Sequence, residues 1–217
     1  MPEPLTLEMN DPEGSLRETL DEDGRSTRAQ VLRRAVIGGG SIAAGGLLIG
    51  GLPELALGRP SKRQDGKILN FALLLEYVQS AFYAEALSRA GLTGDLKAFA
   101  STVAAQEQEH IAFLQKALGN AARKAPKTDF GDDTADAEKF SLAAFKLEDL
   151  GVAAYNAQAP NLTKGSLAAA ARIVSVESRH AAWIRDLRGM NPAPDASEPS
   201  VDAQRVIDTF KGSGYVQ

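Results

Sequence analysis

Two short stretches of this chain, Glu107-Gln108-Glu109-His110 and Glu177-Ser178-Arg179-His180, place a Glu three positions before a His, and between them they hold both histidines of the protein. With 14 Glu among 217 residues, two arbitrary histidines would each have Glu at that offset in roughly one chain in two hundred, so the pattern calls for a physical cause. On a helix, positions i and i+3 share a face. Val103, Ala104, Ile111 and Leu114 flank the first pair at helical spacing, and Ile173, Val174, Ala181 and Ile184 flank the second, so both pairs are expected on stripes that turn toward a core. Desolvating a lone carboxylate costs several kcal/mol or more, and whatever fold the chain takes must bring something to neutralise these acids.

Composition narrows what that something can be. There is no Cys, which removes disulfides, thiolate metal sites, iron–sulfur clusters and Cys nucleophiles together. Any metal would be held by oxygen and nitrogen. The net charge is −4 and no basic stripe with interleaved aromatics occurs, so nucleic acid is not an expected partner. The length allows one domain with appendages.

From Asp65 onward the apolar period is helical. A first helix is expected over about Asp65 to Arg89, with Ile68, Phe71, Leu75, Val78 and Phe82 on one side, and a second over about Asp95 to Leu118. The short Gly91-Leu92-Thr93-Gly94 connection makes these two antiparallel. Residues 121–133 form a polar stretch long enough, if extended, to run the length of a 30 Å bundle. A third helix is expected over about Thr134 to Asn156, a fourth over about Ser166 to Arg188, and a short last one over Val201 to Phe210, packing across one end. Two antiparallel hairpins joined by one long crossover, or a simple up-down bundle with a loose third connection, both accommodate this order.

The first and third helices each carry one Glu in apolar surroundings, Glu76 and Glu148. The offset between the halves is 72 residues at these single Glu positions and 70 at the Glu/His pairs, an internal repeat without obvious sequence identity. Tyr83 lies seven residues after Glu76 and Tyr155 seven after Glu148, about two turns, on the face of its Glu. These two tyrosines are the candidates for a catalytic part, as outer donors that orient a carboxylate or in a radical role; core tyrosines are the alternative. Glu85 and Glu109 fall off that face and are expected to be solvated, as are Arg123, Lys124 and Lys127 in the crossover. Trp183 is expected in the core.

On these residues the chain resembles the ferritin-like superfamily, and within it the exported ferritin-like domain proteins of the desiccation-related type. The third-helix phrase Leu147-Glu148-Asp149-Leu150-Gly151-Val152-Ala153-Ala154-Tyr155-Asn156 is similar to that family's. The resemblance implies an all-α fold, a ferritin-like four-helix bundle over residues 59–190, followed by a C-terminal segment, 191–217, with a short helix. It also implies two divalent metal ions, Fe or Mn, held by Glu76, Glu107, His110, Glu148, Glu177 and His180, two of the Glu bridging. Four carboxylates and two neutral imidazoles carry about −4, which two divalent cations cancel, and oxygen with one imidazole per metal suits Fe or Mn. The activity implied is an oxidoreductase reacting with O2 or hydrogen peroxide. A non-enzymatic metal-binding or stress-protective protein, a helical module with a structural or vestigial site, and a metal-free hydrogen-bond network remain alternatives at this point. A large storage cage is not expected; a small homo-oligomer is compatible.

Residues 1–58 read separately. Residues 1–23 are acidic, polar and without apolar period, the composition of a disordered extension. Arg25, Arg28, Arg33 and Arg34 then precede an uncharged run, Ala35 to Leu52, with seven glycines, and Ala56-Leu57-Gly58 follows as a small-x-small cleavage site. This resembles a twin-arginine (Tat) export signal, which implies passage of the folded, loaded protein through the Tat machinery to the periplasm or cell envelope. A buried Gly-rich helix or a retained anchor is the alternative.

Overall fold

The computed structural model describes residues 60–216; the extension, the twin-arginine stretch and the cleavage site lie outside the described residues. Five α-helices follow in order: α1 Lys62–Arg89, α2 Gly94–Leu118, α3 Ala137–Gln158, α4 Lys164–Leu187 and α5 Ala203–Gly212. Among the described residues no helix is long and apolar enough to cross a membrane. The helix starts differ from the sequence expectation by one to three residues, and the two largest differences are set by side-chain caps. Ser61 accepts from the Gln64 N–H at 3.2 Å and begins α1 three residues early. Asp136 accepts from the Lys139 N–H at 2.9 Å and begins α3 three residues late, after a 3-10 turn at Gly131–Thr134. Gly119, at φ 55°, closes α2 in a conformation that other residues seldom adopt.

The packing is two hairpins, α1 on α2 and α3 on α4, set face to face through α1 with α3 and α2 with α4. The crossover decides between the two topologies left open by the sequence. It leaves α2 low on α1, where Asn70 Nδ2 donates to the Ala121 carbonyl at 3.0 Å and Asn70 Oδ1 accepts from the Arg123 N–H at 2.9 Å. It arrives high on α1, where the Thr134 hydroxyl donates to Glu85 Oε1 at 2.5 Å. Fifteen residues of α1 separate these anchors, about 22 Å of rise. So α3 enters at the far end, antiparallel to α1, as a ferritin-like crossover requires. Glu85 is accordingly a half-buried anchor, also 3.1 Å from Arg89 Nη1, and not the freely solvated acid expected from its helical angle.

At the opposite end, Asp65 ties α1 to the start of α4. Its carboxylate accepts from the Thr163 N–H at 2.8 Å, the Thr163 hydroxyl at 2.5 Å and the Ser166 hydroxyl at 2.8 Å. It thereby supplies from another helix the cap that Thr163, the N-cap residue of α4, does not make with its own side chain. Burial alone would raise the Asp65 carboxyl, but these three donors hold it below 3.8. Asp65→Ala is expected to cost about 1.5–3 kcal/mol, the range for a hydrogen bond to a charged group. A depressed carboxyl stabilises above its unfolded pKa and loses that stabilisation as pH falls through the folded value. The difference between wild type and variant should therefore shrink below about pH 4, read by chemical denaturation at pH 7 and pH 3.

Helix α5 packs along α3 rather than across one end: the Val201 N–H before it donates to the Ala153 carbonyl within α3, and Tyr215 after it reaches Asp133 ahead of the start of α3. The chain after it returns to the crossover: Thr128 and Val216 form an isolated antiparallel bridge, and the Tyr215 hydroxyl donates to Asp133 Oδ2 at 2.5 Å. An aromatic layer fills the upper core. Phe82 stacks on Phe140 with ring centroids 5.5 Å apart, and Tyr83 meets Phe82, Phe99 and Phe140 edge to face at 5.4, 5.8 and 5.8 Å. Trp183 joins it through Phe99 at 5.3 Å. Each such contact contributes about 0.5–1.5 kcal/mol beyond area. Together they fix the ring of Tyr83, which aims its hydroxyl downward into the middle of the bundle.

Candidate metal centre

The i, i+3 spacing does in the structure what it does on paper. Glu107 and His110 leave α2 on one face, Glu177 and His180 leave α4 on another, and Glu76 and Glu148 come in from α1 and α3. All six converge. The four carboxylates have no exposed surface, His180 is 2 % exposed and His110 8 %.

Two four-residue groups result, Glu76, Glu107, His110, Glu177 and Glu107, Glu148, Glu177, His180, and in each the candidate donor atoms lie within 4.8 Å of one another. Glu107 and Glu177 belong to both. Each presents one oxygen to either imidazole: Glu107 Oε2 is 3.2 Å from His110 Nδ1 and Oε1 is 3.3 Å from His180 Nδ1; Glu177 Oε1 is 2.9 Å from His110 Nδ1 and Oε2 is 3.8 Å from His180 Nδ1. Glu76 Oε2 faces His110 Nδ1 alone at 3.2 Å, and Glu148 Oε2 faces His180 Nδ1 alone at 3.4 Å. The arrangement is two terminal and two shared carboxylates around two points.

The tyrosines complete it crosswise. Seven residues of helix rise about 10.5 Å, out of reach of a residue's own Glu. Because α1 and α3 run antiparallel, Tyr83 instead donates to Glu148 Oε1 at 2.5 Å, and Tyr155 donates to Glu76 Oε1. Each half thus steadies the single Glu of the other, and the shared-face argument from sequence located the tyrosines without identifying their partners. Burial, then the charges of Glu148 and Glu76 respectively, push both phenols well above their usual range, so they stay neutral donors.

Whether the residues fit a pair of cations is tested by their unused atoms. Glu107 Oε1, Glu148 Oε2, Glu177 Oε1 and His180 Nδ1 are buried and make no hydrogen bond; even Glu177 Oε1, 2.9 Å from His110 Nδ1, lies off the line of the ring N–H. A natural core rarely leaves four such atoms unsatisfied in one place. Protons show the same demand for positive charge. Burial pulls both imidazoles down, but the carboxylates of Glu107, Glu177 and Glu76 around His110, and of Glu107, Glu148 and Glu177 around His180, push each up to about 12. Burial, then the charge of Glu107, raises Glu76 to about 8, and burial raises Glu148. Without ions, protons do imperfectly what two divalent cations would do with every lone pair engaged. The donor set fits.

Two residues of the site had no signal strong enough to be singled out. Gln79, one turn beyond Glu76, donates to Glu148 Oε1 at 3.2 Å and Glu177 Oε2 at 3.4 Å, and Gln106 Oε1 lies 2.6 Å from His180 Nε2. A polar residue in the apolar face of α1, three after Glu76, was the available clue for Gln79; Gln106 is half-buried and looks like any helix surface residue.

A family model described as a ferritin-like domain matches residues 64–190, more than half of the chain and all six convergent residues. No curated protein matches it.

Proposed function

Since the chain belongs to the ferritin-like domain family, we propose that it binds two divalent ions, Fe or Mn, through Glu76, Glu107, His110, Glu148, Glu177 and His180, and acts as an oxidoreductase toward O2 or hydrogen peroxide in metal or oxidative-stress handling. The observation that carries this reading is the pair of buried donor groups with Glu107 and Glu177 in common, since a shared carboxylate is what holds two ions close enough to act together. Bound there, a pair of redox-active ions supplies the electrons and Lewis acidity that O2 or peroxide chemistry needs.

The chain's own contributions follow from the geometry. The carboxylates bind and cancel charge. Tyr83 and Tyr155 act as positioning residues: they hold Oε1 of Glu148 and Glu76, leaving each Oε2 turned inward. Gln106 accepts at His180 Nε2, which keeps a proton there and leaves Nδ1 to ligate. The aromatic layer above Tyr83 keeps water from the charges and so strengthens every electrostatic interaction among them.

The depth of burial also supports a second reading, in which the protein sequesters its ions without turnover. Anaerobic loading with Fe(II), followed by rapid mixing with O2 or peroxide, separates the two. Catalysis predicts a transient visible absorbance and repeated consumption of oxidant per protein. Sequestration predicts stoichiometric uptake and no further consumption, and an absence of Fe(II) uptake would sink both.

A further inference from the structure

The two halves of the site are alike in their ligands and unlike in what stands behind them. Gln79, 1 % exposed on α1, reaches across to Glu148 and Glu177. Between two carboxylates only the NH2 end of its amide can bond. The 72-residue offset that carries Glu76 to Glu148 carries Gln79 to Gly151, which provides no side chain in return. A Cβ at Gly151 would already stand in contact with the Gln79 amide at 3.4 Å and Glu177 Oε2 at 3.7 Å, so a side chain as long as glutamine there would run into Gln79. The histidines differ in the same sense. Gln106 Oε1 holds His180 Nε2 at 2.6 Å, whereas the 70-residue offset carries Gln106 to Val176, which has no group to offer. His110 is also the most exposed of the six.

We infer that Gln79 and Gln106 make the two ion positions unequal: the position of Glu148 and His180 is the tighter and fills first, while that of Glu76 and His110 is the exchangeable one, where solvent and a small oxidant reach the pair. This deepens the dimetal reading and rests on it. Glu148 Oε1 takes two donors, Tyr83 and Gln79, where Glu76 Oε1 takes only Tyr155. Its side chain and that of His180 are therefore held in the ligating rotamer before any ion arrives, and binding orders them no further. Donors also draw charge from a carboxylate and weaken it as a ligand. The balance is settled by magnitude, because loss of such outer partners typically lowers metal affinity by about 10–100-fold.

Mn(II) titration of the full chain, followed by calorimetry and by the electron paramagnetic resonance of free ion, tests this. The wild type is expected to take up two ions in steps at least about tenfold apart. Gln79→Met, which preserves volume and removes the N–H, should weaken the first step by about 10–100-fold and leave the second unchanged. Gln106→Ala, at a half-buried position that a folded bundle tolerates, should do the same. His110→Ala should retain one tight ion, and His180→Ala only a weak one. Two equal steps in the wild type, or glutamine variants that weaken both steps alike, would overturn the inequality while leaving the dimetal centre standing. A wild type that takes up no Mn(II) or Fe(II) would remove the centre itself, and the inequality with it.

Discussion

Glu177→Gln is expected to take the metal content of the loaded protein from two ions to none while raising the melting temperature of the metal-free form. The two effects have one cause. Glu177 is fully buried and faces both imidazoles, from Oε1 at 2.9 Å and Oε2 at 3.8 Å, so losing its charge removes a donor from both four-residue groups at once. Without ions the same charge is a burden: four carboxylates meet at most two imidazolium ions, so two acids must be protonated or remain uncompensated. An amide of equal size relieves that excess. The offsetting loss is one charged partner of each imidazole: His110 keeps Glu76 and Glu107 at 3.2 Å each, and His180 keeps Glu107 at 3.3 Å and Glu148 at 3.4 Å. Removing one partner of a buried ion pair destabilises when it strands the other charge, but here each imidazole keeps two carboxylates and an excess acid is removed, so the net expected is a stabilisation of about 1–2 kcal/mol, the worth of roughly one unit of a raised carboxyl pKa. Elemental analysis gives the first result and thermal melting of chelator-treated protein the second. A metal-free variant that melts lower than wild type would mean that Glu177 serves a structural ion pair, and retention of both ions would mean that it is not shared.

Metal loading should raise the melting temperature, and more so as pH increases. An ion present at a hundred times its dissociation constant stabilises by about 2.7 kcal/mol, and for a chain of this size each kcal/mol is about 2–4 °C, so the expected shift is about 5–10 °C. The pH dependence comes from the protons that stand in for ions. A group whose pKa is raised on folding contributes stabilisation that is complete below its unfolded value and is lost as pH climbs to the folded one. Glu76 rises from 4.5 to about 8 and both histidines from 6.5 to about 12. The metal-free bundle therefore loses stability steadily on going from pH 6 to pH 8. Over the same interval protons compete less with cations for the same lone pairs, so loading becomes more favourable. Calorimetry with and without Mn(II) at the two pH values should show the gap widening. A constant or narrowing gap would place the ion elsewhere on the protein.

Much of this architecture is written along the chain. The four bundle helices follow from apolar periods, the antiparallel pairing of the first two from the short Gly91–Gly94 connection, and the inward aim of Glu107, His110, Glu177 and His180 from a local rule about residues three apart. Glu76 and Glu148 could be picked out because each stands alone in an apolar run, and the 72- and 70-residue offsets tied the halves together. All these signals are periodic or local, and a string of residues records such things fully.

Other features depended on the level and rotation of one helix against another, which no local pattern encodes. The crossover's climb from Asn70 to Glu85 set the direction of α3, and that direction alone sent Tyr83 to Glu148 and Tyr155 to Glu76. Asp65, read from sequence as a helix start, became the cap of a helix 98 residues away. Gln79 acquired its partners only once three helices met around it, and Gln106 only once α2 met α4. The chain by itself determined which side chains carry the charge that must be neutralised; the tertiary structure decided which neighbours hold each of them in place, because a hydrogen bond between helices requires donor and acceptor within about 3 Å and packing alone sets that distance.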